Sequence, residues 1–348
     1  MKLEKLYHII PTYLHSAVLG AVKGGRRVKL PDRVGQYRLI KDLQPEKDYP
    51  FKIGLYSNRN GKRVVGKIWQ GSQKNLHYFD ILHEIDAMST MASLQSRVSE
   101  KLPRNLRSIR TPQLIKVISG PGELMYFSEF MKGTPLSKLK SAHQQLKKYE
   151  QCVEYLRTLT QYCTPQEKQK LGIKTATDYL WMFPLIFIAT IFKRPRRIGL
   201  ILRGGLVFLT GYLSIRNRPS DSIVHGDLNM DNILLDGKNI SILDMEQMTI
   251  TFPEYELITL ISSRRNRRDF LSYIFDDITA KCHRDRKYAR VFSTLLVNCS
   301  IHNLTGNSIK DNVQVYFRRL DLGIKLFIKF GLRSDSHRQE KRFSILLS

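Results

Sequence analysis

The chain has few cysteines, and none of them is spaced as a metal-binding or redox motif. Among its 348 residues there are four, Cys152, Cys163, Cys282 and Cys299. A zinc site or a disulfide-stabilised secreted domain would need closely spaced cysteines. Their scatter excludes both patterns and is typical of a reducing compartment, so we expect a cytoplasmic location.

Acidic residues are scarce relative to basic ones. The chain has 57 Lys and Arg against 31 Asp and Glu, which gives a formal net charge of +26 at pH 7. Such a surface attracts polyanions, among them nucleic acids, anionic lipid headgroups, phosphorylated glycans and nucleoside triphosphates. The sequence has no zinc finger, aromatic RNA-binding signature or long basic tail, and nucleic acid therefore ranks last among the expected partners. A solvated basic face without a specific partner remains an alternative.

Long, uninterrupted hydrophobic runs are also missing. The N-terminal run Leu6–Val22 is broken by Pro11 and two histidines and precedes no small-residue cleavage site, so we predict no signal peptide. Tyr179–Phe192 contains Pro184 and is short for a membrane span, which leaves a core helix or an interfacial membrane helix as its alternatives. Ile198–Ile215 contains an arginine and four glycines and is predicted as a buried core helix.

The predicted elements form an antiparallel sheet with one helix, followed by a mostly helical region. The first part contains, in order, strands Tyr37–Leu43, Phe51–Tyr56 and Val64–Trp69, the helix Phe79–Val98, and strands Gln113–Ile118 and Leu124–Phe130. After Gly133 the pattern becomes helical. We therefore expect an α+β fold with an N-terminal extension over residues 1–35, an N-terminal lobe over 36–132 and a C-terminal lobe over 133–348.

One short polar segment carries the strongest functional signal. It contains His225, Asp227 and Asn232, and the apolar strand Ile240–Leu243 delivers Asp244 to the same region. The spacing from Asp227 to Asn232 is typical of a phosphoryl-transfer loop, in which the aspartate orients the acceptor hydroxyl. We therefore predict Asp227 as the catalytic residue and His225 as a structural residue that fixes the loop.

Three oxygen donors in this region are predicted to hold Mg²⁺. Asn232 offers a neutral carbonyl oxygen, and Asp244 is expected to be the main ligand, shared with the phosphates. Glu246 lies two residues further on and would face the same side of an extended segment. For Glu246, contact with a second metal ion and a place at the rim of the site both remain open.

The nucleotide is expected to lie between the two lobes. Lys67 lies between apolar residues of the third strand, where a lysine must either reach solvent or find an anion. We predict that it binds the α- and β-phosphates and pairs with Glu84 from the following helix; an exposed strand lysine is the alternative. The end of the fifth strand, with Glu129 and Met131, is predicted to bind adenine through backbone groups.

Together these residues resemble the aminoglycoside phosphotransferase and choline kinase group of the protein-kinase-like superfamily. The loop has the form H-G-D-x-x-x-x-N, with Gly226 where protein kinases usually carry arginine, and Asp244-Met245-Glu246 replaces their Asp-Phe-Gly. Pro253–Leu257 looks like the Pro-x-Tyr-Asp-Leu segment of small-molecule kinases. The loop is also similar to that of lipopolysaccharide core (Kdo and heptose) kinases. The resemblance implies a two-lobed protein-kinase-like fold and an enzyme that uses ATP and Mg²⁺.

Two features narrow the class of acceptor that we expect: one difference from the protein-kinase pattern and the net charge of the chain. The turn Gln44–Pro50 has no glycine, whereas a protein kinase places a glycine-rich loop there, so a small-molecule kinase is favoured. Aminoglycosides are polycations and match a chain of charge +26 poorly, which favours an anionic or membrane-bound acceptor.

We therefore expect a kinase that moves the γ-phosphoryl group of ATP to a hydroxyl of a small-molecule or glycan acceptor. Two alternatives remain. The first is a lipopolysaccharide or glycolipid kinase with peripheral contact to the anionic inner face of the membrane. The second is a catalytically inactive kinase-like protein that binds nucleotide or partners.

Overall fold

A six-stranded antiparallel sheet forms the N-terminal lobe. The structure, a computed structural model, describes residues 28–44, 51–71, 76–262, 268–306 and 313–332. The first seven strands are β1 (Arg33–Val34), β2 (Tyr37–Asp42), β3 (Phe51–Ser57), β4 (Arg63–Gln70), β5 (Ile109–Arg110), β6 (Leu114–Gly120) and β7 (Glu123–Glu129). All but β5 join this sheet, in the order β1-β2-β3-β4-β7-β6. The predicted strands are thus confirmed, although most of the glycine-free turn between β2 and β3 lies outside the described residues.

The hairpin between β3 and β4 follows from its turn residues. Asn58 accepts hydrogen bonds through its side-chain oxygen from the backbone N–H groups of Asn60 and Lys62, at 3.0 and 2.9 Å. Gly61 has a φ of 74°, a conformation that costs glycine nothing. This tight turn sets the register in which Lys67 of β4 lies opposite Ile53 of β3.

The helix α1 (Leu76–Val98) covers one face of the sheet. Its residues Ile81, Met88, Met91 and Leu94 are all buried, as their helical spacing predicts. They belong to the same apolar core as Trp69 of β4. The helix that carries Glu84 is therefore fixed against the strand that carries Lys67.

The C-terminal lobe is mostly helical. Its helices are α2 (Ala142–Thr160), α3 (Pro165–Leu171), α4 (Ala176–Lys193), α5 (Ile198–Ile215), α6 (Glu254–Ser262), α7 (Arg268–Arg284), α8 (Arg286–Gly306) and α9 (Gln314–Leu326). Short 3₁₀ segments occupy Leu136–Lys138 and Pro195–Arg197, and a π-helical turn, Phe327–Gly331, follows α9. Helix α8 contacts α4, α5, α6, α7 and α9 and is the centre of this lobe.

Two small sheets hold the functional loops of the C-terminal lobe. Their strands are β8 (Thr134–Pro135), β9 (Ser222–Val224), β10 (Ile233–Asp236), β11 (Asn239–Ile242) and β12 (Thr249–Thr251), paired in the orders β5-β11-β10-β8 and β12-β9. The loop from β9 to β10 carries Asp227 and Asn232, and the loop from β11 to β12 carries Asp244. Because β10 pairs with β11 and β9 with β12, the two loops emerge side by side.

Two segments differ from their predicted places. Val28 is buried against the outer face of the sheet, and β1 begins at Arg33, so residues 28–35 pack with the N-terminal lobe rather than extending from it. Helix α5 has the predicted bounds, but Leu209 and Leu213 are exposed, so only one of its faces lies in the core. Helix α4 and the segment Pro195–Ile215 are long and apolar enough to cross a membrane, by length and composition.

We expect Phe292→Ala in α8 to lower the free energy of unfolding by about 3–5 kcal/mol, because it leaves a cavity in the core. Phe292 is fully buried and stacks on Tyr288 with ring centroids 5.7 Å apart. Urea unfolding measures the change. The matched control is Tyr273→Ala in α7, where the ring is 52% exposed and the change should stay within about 0.5 kcal/mol. Equal effects of the two substitutions would contradict the central place of α8.

Candidate active site

A buried histidine fixes the start of the catalytic loop. The imidazole of His225 lies within hydrogen-bonding distance of the carbonyl oxygen of Leu243, with Nε2 2.7 Å away. The backbone N–H of Asp227 donates to His225 Nδ1 at 3.3 Å, which leaves Nε2 as the protonated nitrogen of a neutral ring. Burial lowers the pKa of His225 to about 4, so the ring stays neutral. His225 thus has the structural role predicted for it and ties the two functional loops together.

A buried carboxylate accepts hydrogen bonds from the backbone of the same loop. Glu256, at the N-terminal end of α6, accepts hydrogen bonds from the backbone N–H groups of His225, Gly226 and Leu228. Burial raises the pKa of Glu256 to about 7, and the three amides counteract that rise. This residue replaces the aspartate of the Pro-x-Tyr-Asp-Leu segment, and it acts on the backbone of the catalytic loop.

Position 226 has room only for glycine, because neighbouring backbone atoms lie too close for a side chain. Its φ is +81°, and a Cβ there would lie 2.6 Å from the carbonyl oxygen of Gln247. The backbone at Gln247, in the loop between β11 and β12, therefore occupies the volume in which a side chain at 226 would begin. The sequence shows the glycine, but only the structure shows what excludes a larger residue.

Asp227 and Asn232 lie together, as their spacing predicts. The side-chain amide of Asn232 donates to the carbonyl oxygen of Asp227 at 2.8 Å, and its Nδ2 lies 3.5 Å from the Asp227 carboxylate. Asn232 is buried, while Asp227 is half-buried. Because the nitrogen of Asn232 is engaged with the loop, its side-chain oxygen is the atom left to act as a metal ligand.

Three carboxylates converge next to this loop. One oxygen from each of Glu84, Asp244 and Glu246 lies within 4.8 Å of the others, a spacing that can hold a metal ion. Loss of solvation and the charges of Glu84 and Glu246 raise the pKa of Asp244 to about 7, although its side chain is accessible to water. Asp227 is close enough to add to that shift. Since like charges crowd this group, a bound cation would stabilise its ionised form.

Asp244 reaches the cluster through an unusual backbone conformation. Its φ is 62°, and no other non-glycine residue in the described ranges has a positive φ. Aspartate tolerates this region better than most residues do. The segment from Asp244 to Glu246 is thus not the extended strand that the sequence suggests, yet the bend still brings both carboxylates to one place.

Lys67 joins the two lobes at the carboxylate cluster. Its Nζ lies 2.8 Å from Glu84 Oε2 and 3.0 Å from Glu246 Oε2, and the residue is only 3% exposed. Burial lowers the pKa of Lys67, but the two carboxylates outweigh burial and the net shift is upward. The ammonium group also lies over the ring of Phe51, 4.2 Å from its centroid. The predicted pair with Glu84 is confirmed, and the second pair, with Glu246, was not predicted.

The remaining predicted residues lie at the end of β7. Glu129 is the last residue of that strand; its N–H donates to the carbonyl oxygen of Gln113 and its carboxylate lies 3.4 Å from Arg110. Met131 follows and is buried. Their position between sheet and helices suits a hinge, and their contact with adenine stays a prediction.

Sequence reasoning missed two residues that position the site. His83 contacts the carbonyl oxygen of Met248 with its Nε2 and so ties α1 to the loop between β11 and β12. Tyr126 of β7 is buried and hydrogen-bonds to Glu84. The signal for Tyr126 was its place on β7 opposite Lys67 of β4.

We expect Gly226→Ala to lower Mg²⁺-dependent ATP turnover by about a hundredfold, because the added methyl group must displace the loop that carries Asp244. The matched control is Gly237→Ala, where φ is +60° but nothing lies within 4 Å of the added Cβ. The control should lose about 1–2 kcal/mol of stability and keep its turnover. Equal turnover in both variants would contradict the steric argument.

We expect the stability cost of His225→Asn to shrink in acid. The unfolded chain protonates this ring near pH 6.5 and the folded chain only near pH 4, so acid in this window favours unfolding of the unchanged protein. Asp244 and Glu256 act in the opposite direction, since their pKa values are raised. The measurement is therefore the difference in unfolding free energy between the unchanged chain and the variant. As the pH is lowered from about 6.5 to about 4, this difference should fall by at most ~1.4 kcal/mol per pH unit. A difference independent of pH would show that His225 is not buried in its neutral form.

The sequence and the fold were compared with known proteins. The sequence profile described as "APH: Phosphotransferase enzyme family" matches residues 84–278. A comparison with curated protein sequences found no significant match. Among solved structures, the chain is similar to amicoumacin kinase hAmiN in complex with AMP-PNP, Ca²⁺ and Ami, with a TM-score of 0.51 and 12% identity over 97% of this chain and 100% of that one.

Two further structures share the fold. An aminoglycoside phosphotransferase from Alicyclobacillus acidocaldarius has a TM-score of 0.50 and 10% identity over 94% of this chain and 98% of that one. An aminoglycoside 2′-phosphotransferase-IIIa variant in complex with GDP has a TM-score of 0.50 and 12% identity over 93% and 98%. The predicted two-lobed kinase-like fold is therefore confirmed. Because the profile matches more than half of the residues and includes both functional loops, the chain belongs to the phosphotransferase enzyme family.

Proposed function

We propose that this phosphotransferase moves the γ-phosphoryl group of ATP to a hydroxyl of a small-molecule or glycan acceptor, with Mg²⁺ as the metal. The observation that carries the proposal is the position of Lys67, paired with both Glu84 and Glu246 next to Asp244. A buried lysine with its charge held by carboxylates of both lobes is what a triphosphate site needs. AMP-PNP and Ca²⁺ in the amicoumacin kinase structure support a nucleotide with a divalent cation.

The residues divide the work of phosphoryl transfer between them. Asp227 accepts the proton of the acceptor hydroxyl and orients that hydroxyl toward the phosphorus. Lys67 binds the α- and β-phosphates, for which it is held in place by Glu84. The backbone at Glu129 and Met131 binds adenine. His225 and Glu256 touch no reactant and act by holding the loop that carries Asp227.

The donor set suits a hard divalent cation. Asn232, Asp244 and Glu246 can each offer a side-chain oxygen, as Mg²⁺ prefers, and the carboxylates of Glu84, Asp244 and Glu246 lie close enough together for a cation to reduce their repulsion. When bound, the metal would neutralise charge on the β- and γ-phosphates. Glu246 is also paired with Lys67, so the lysine and a metal would share its carboxylate.

The charge of the chain supports an anionic acceptor. The excess of basic residues, which gives a net charge of +26, raises the local concentration of anions around the protein. A sugar phosphate, a phosphorylated glycan or an anionic glycolipid fits this field better than a polycationic antibiotic does.

A glycolipid acceptor at the inner face of the membrane is the second candidate, as in the lipopolysaccharide kinases whose loop this one resembles. The observation that favours it is a set of large apolar side chains left exposed on α4 and α5. An enzyme in the cytoplasm with peripheral membrane contact would meet such an acceptor at the bilayer surface.

A catalytically inactive binding protein is disfavoured by the completeness of the site. Such a protein would need neither the base nor the metal ligands, yet Asp227, Asn232 and Asp244 are all present beside the Lys67–Glu84 pair. Binding of nucleotide without turnover against any acceptor would support this alternative instead.

We expect Asp227→Asn and Asp244→Ala each to abolish Mg²⁺-dependent phosphoryl transfer while the protein stays folded. The first removes the proton acceptor, and the second removes the main metal ligand. Asp236→Asn, at the exposed end of β10, is the matched control and should keep full activity. ATP consumption measures activity and circular dichroism verifies the fold. Full activity in either of the first two variants would refute the assignment.

The acceptor itself can be found with an ATP-consumption screen over sugars, sugar phosphates, glycolipids and aminoglycosides. We expect turnover with an anionic sugar or glycolipid, and none with the Asp227→Asn protein. Preferred turnover of aminoglycosides would overturn the argument from charge while leaving the phosphotransferase assignment intact.

A further inference from the structure

The outer face of the α4–α5 hairpin is apolar, and within the described part of the chain its large side chains are exposed. We define it by eight side chains that are 43–81% exposed: Trp181, Leu185, Ile188 and Phe192 of α4, and Ile198, Leu202, Leu209 and Leu213 of α5. The two helices contact each other and are joined by the short segment Arg194–Arg197. Their exposed residues repeat at intervals of three, four or seven, so each set lies on one side of its helix.

The opposite faces of the same helices are firmly packed. Phe183 and Phe208 are buried and stack with ring centroids 3.8 Å apart. Thr190 of α4 is fully buried, and its hydroxyl bonds to Thr305 and to the carbonyl oxygen of Ile301 in α8. Close approach at Gly204, where a Cβ would lie 2.7 Å from Leu320, locks α5 against α9. The hairpin is thus packed firmly against the lobe, and the orientation of its outer face is fixed by this packing.

Such a face needs a partner. Soluble monomers rarely expose large apolar patches, and such patches mark protein or membrane contacts. Trp181 is 65% exposed and Phe192 is 81% exposed. Large aromatic side chains are also the ones that settle at the boundary between lipid headgroups and acyl chains.

The charge of the hairpin identifies the partner. Residues 176–215 contain one acidic residue, Asp178, whose carboxylate is used to cap the start of α4. The same stretch contains five basic residues: Lys193, Arg194, Arg196, Arg197 and Arg203. Of these, Arg196, Arg197 and Arg203 are exposed, and the guanidinium of Arg197 also lies over the ring of Phe317 in α9, 5.7 Å from its centroid. An apolar stripe on a hairpin with three exposed arginines and one capping aspartate matches a bilayer that carries anionic headgroups.

A transmembrane arrangement does not fit the packing. A helix that crosses a bilayer as an isolated hairpin would face lipid on all sides, whereas α4 and α5 bury a face that includes the Thr190–Thr305 hydrogen bond. Leaving the lobe would strand these groups and open its core. A helix with one apolar face and flanking arginines instead lies in the plane of the interface.

We infer that the outer face of the α4–α5 hairpin lies on an anionic lipid bilayer, with Arg196, Arg197 and Arg203 on headgroups and Trp181 and Phe192 below them. This surface would bring the enzyme to a glycolipid acceptor in the membrane, and only the identity of that acceptor rests on the proposed function. Surface binding itself requires no turnover.

The chain carries its own optical probe for this contact. It has two tryptophans, of which Trp69 is fully buried in the N-terminal lobe and Trp181 is in the outer face. Transfer of Trp181 from water to lipid shifts its emission to the blue, and brominated acyl chains then quench it. Trp181→Phe should keep vesicle binding and lose both signals, which assigns them to this residue.

The test is co-sedimentation of the full chain with phosphatidylcholine vesicles, with and without phosphatidylglycerol. We expect binding only to the anionic vesicles and loss of that binding at high salt. The double substitution Arg196→Gln with Arg197→Gln should weaken binding by roughly 30-fold, because each of the two arginines loses about one interaction with an anionic headgroup. Leu209→Ser with Leu213→Ser should weaken it by at least about tenfold.

Matched controls make the same chemical changes elsewhere. Ile40→Ser alters a side chain that is 53% exposed on the N-terminal sheet, and Arg104→Gln alters an exposed arginine outside the hairpin. Both should bind vesicles as the unchanged chain does. Asp227→Asn should also bind normally, so failure of catalysis and failure of surface binding can be told apart.

Four results would overturn the inference. The first is absence of binding to anionic vesicles, and the second is binding that the outer-face variants do not weaken. The third is self-association of the chain that Leu209→Ser with Leu213→Ser abolishes, without any vesicle binding; a second copy of the chain would then cover this face. Binding that resists both high salt and alkaline extraction would likewise contradict a surface contact and indicate a spanning hairpin.

Discussion

The ion-pair cluster around Lys67 determines how the two lobes meet. The lysine comes from the sheet, Glu84 from the helix behind it and Glu246 from the loop of the other lobe. Removing Lys67 would leave the buried carboxylate of Glu84 without its cation, and that loss is far larger than the net value of an exposed ion pair. The same cluster brings the ammonium group of Lys67 next to the three carboxylates of Glu84, Asp244 and Glu246.

The catalytic loop depends on backbone contacts more than on its own side chains. Glu256 accepts three of its amide hydrogens, His225 bridges it to the next loop, and Gly226 allows that loop to pass at close range. Each of these residues is buried and none would touch a reactant. The geometry at Asp227 is therefore set by groups whose substitution would change turnover through position alone.

Local patterns were enough to predict the sheet, its helix and the order of the site residues. The strand alternation and the Asn-Gly turn fix β3 and β4, and the helical spacing of Ile81, Met88 and Met91 fixes the helix that carries Glu84. The pairing of Lys67 with Glu84 could be predicted because a kinase pairs the lysine of the third strand with a glutamate of the following helix, and Glu84 lies near the start of that helix. Periodicity could not show the contact of Lys67 with Glu246, which spans 179 residues, nor the left-handed backbone at Asp244.

The apolar helices α4 and α5 show that hydropathy alone does not predict which residues are buried. Composition correctly marked Ile198–Ile215 as a helix, but it could not tell which residues find a protein neighbour. Gly204 and Phe208 are covered by the lobe, while Leu209 and Leu213 are not. Coverage is a property of the tertiary arrangement, and it alone separates a core helix from one with a free surface.

The connection from α5 to the catalytic loop is short and direct. Residues 216–221 are all that separate the end of α5 from β9, and β9 leads straight into His225. At the other end of the hairpin, the N–H of Lys174, just before α4, donates to the carbonyl oxygen of Ile250 in β12, the strand paired with β9. The hairpin is therefore tied to this region at both ends, so a displacement of α4 or α5 would act on β9, which precedes the loop with Asp227, and on β12, which follows the loop with Asp244.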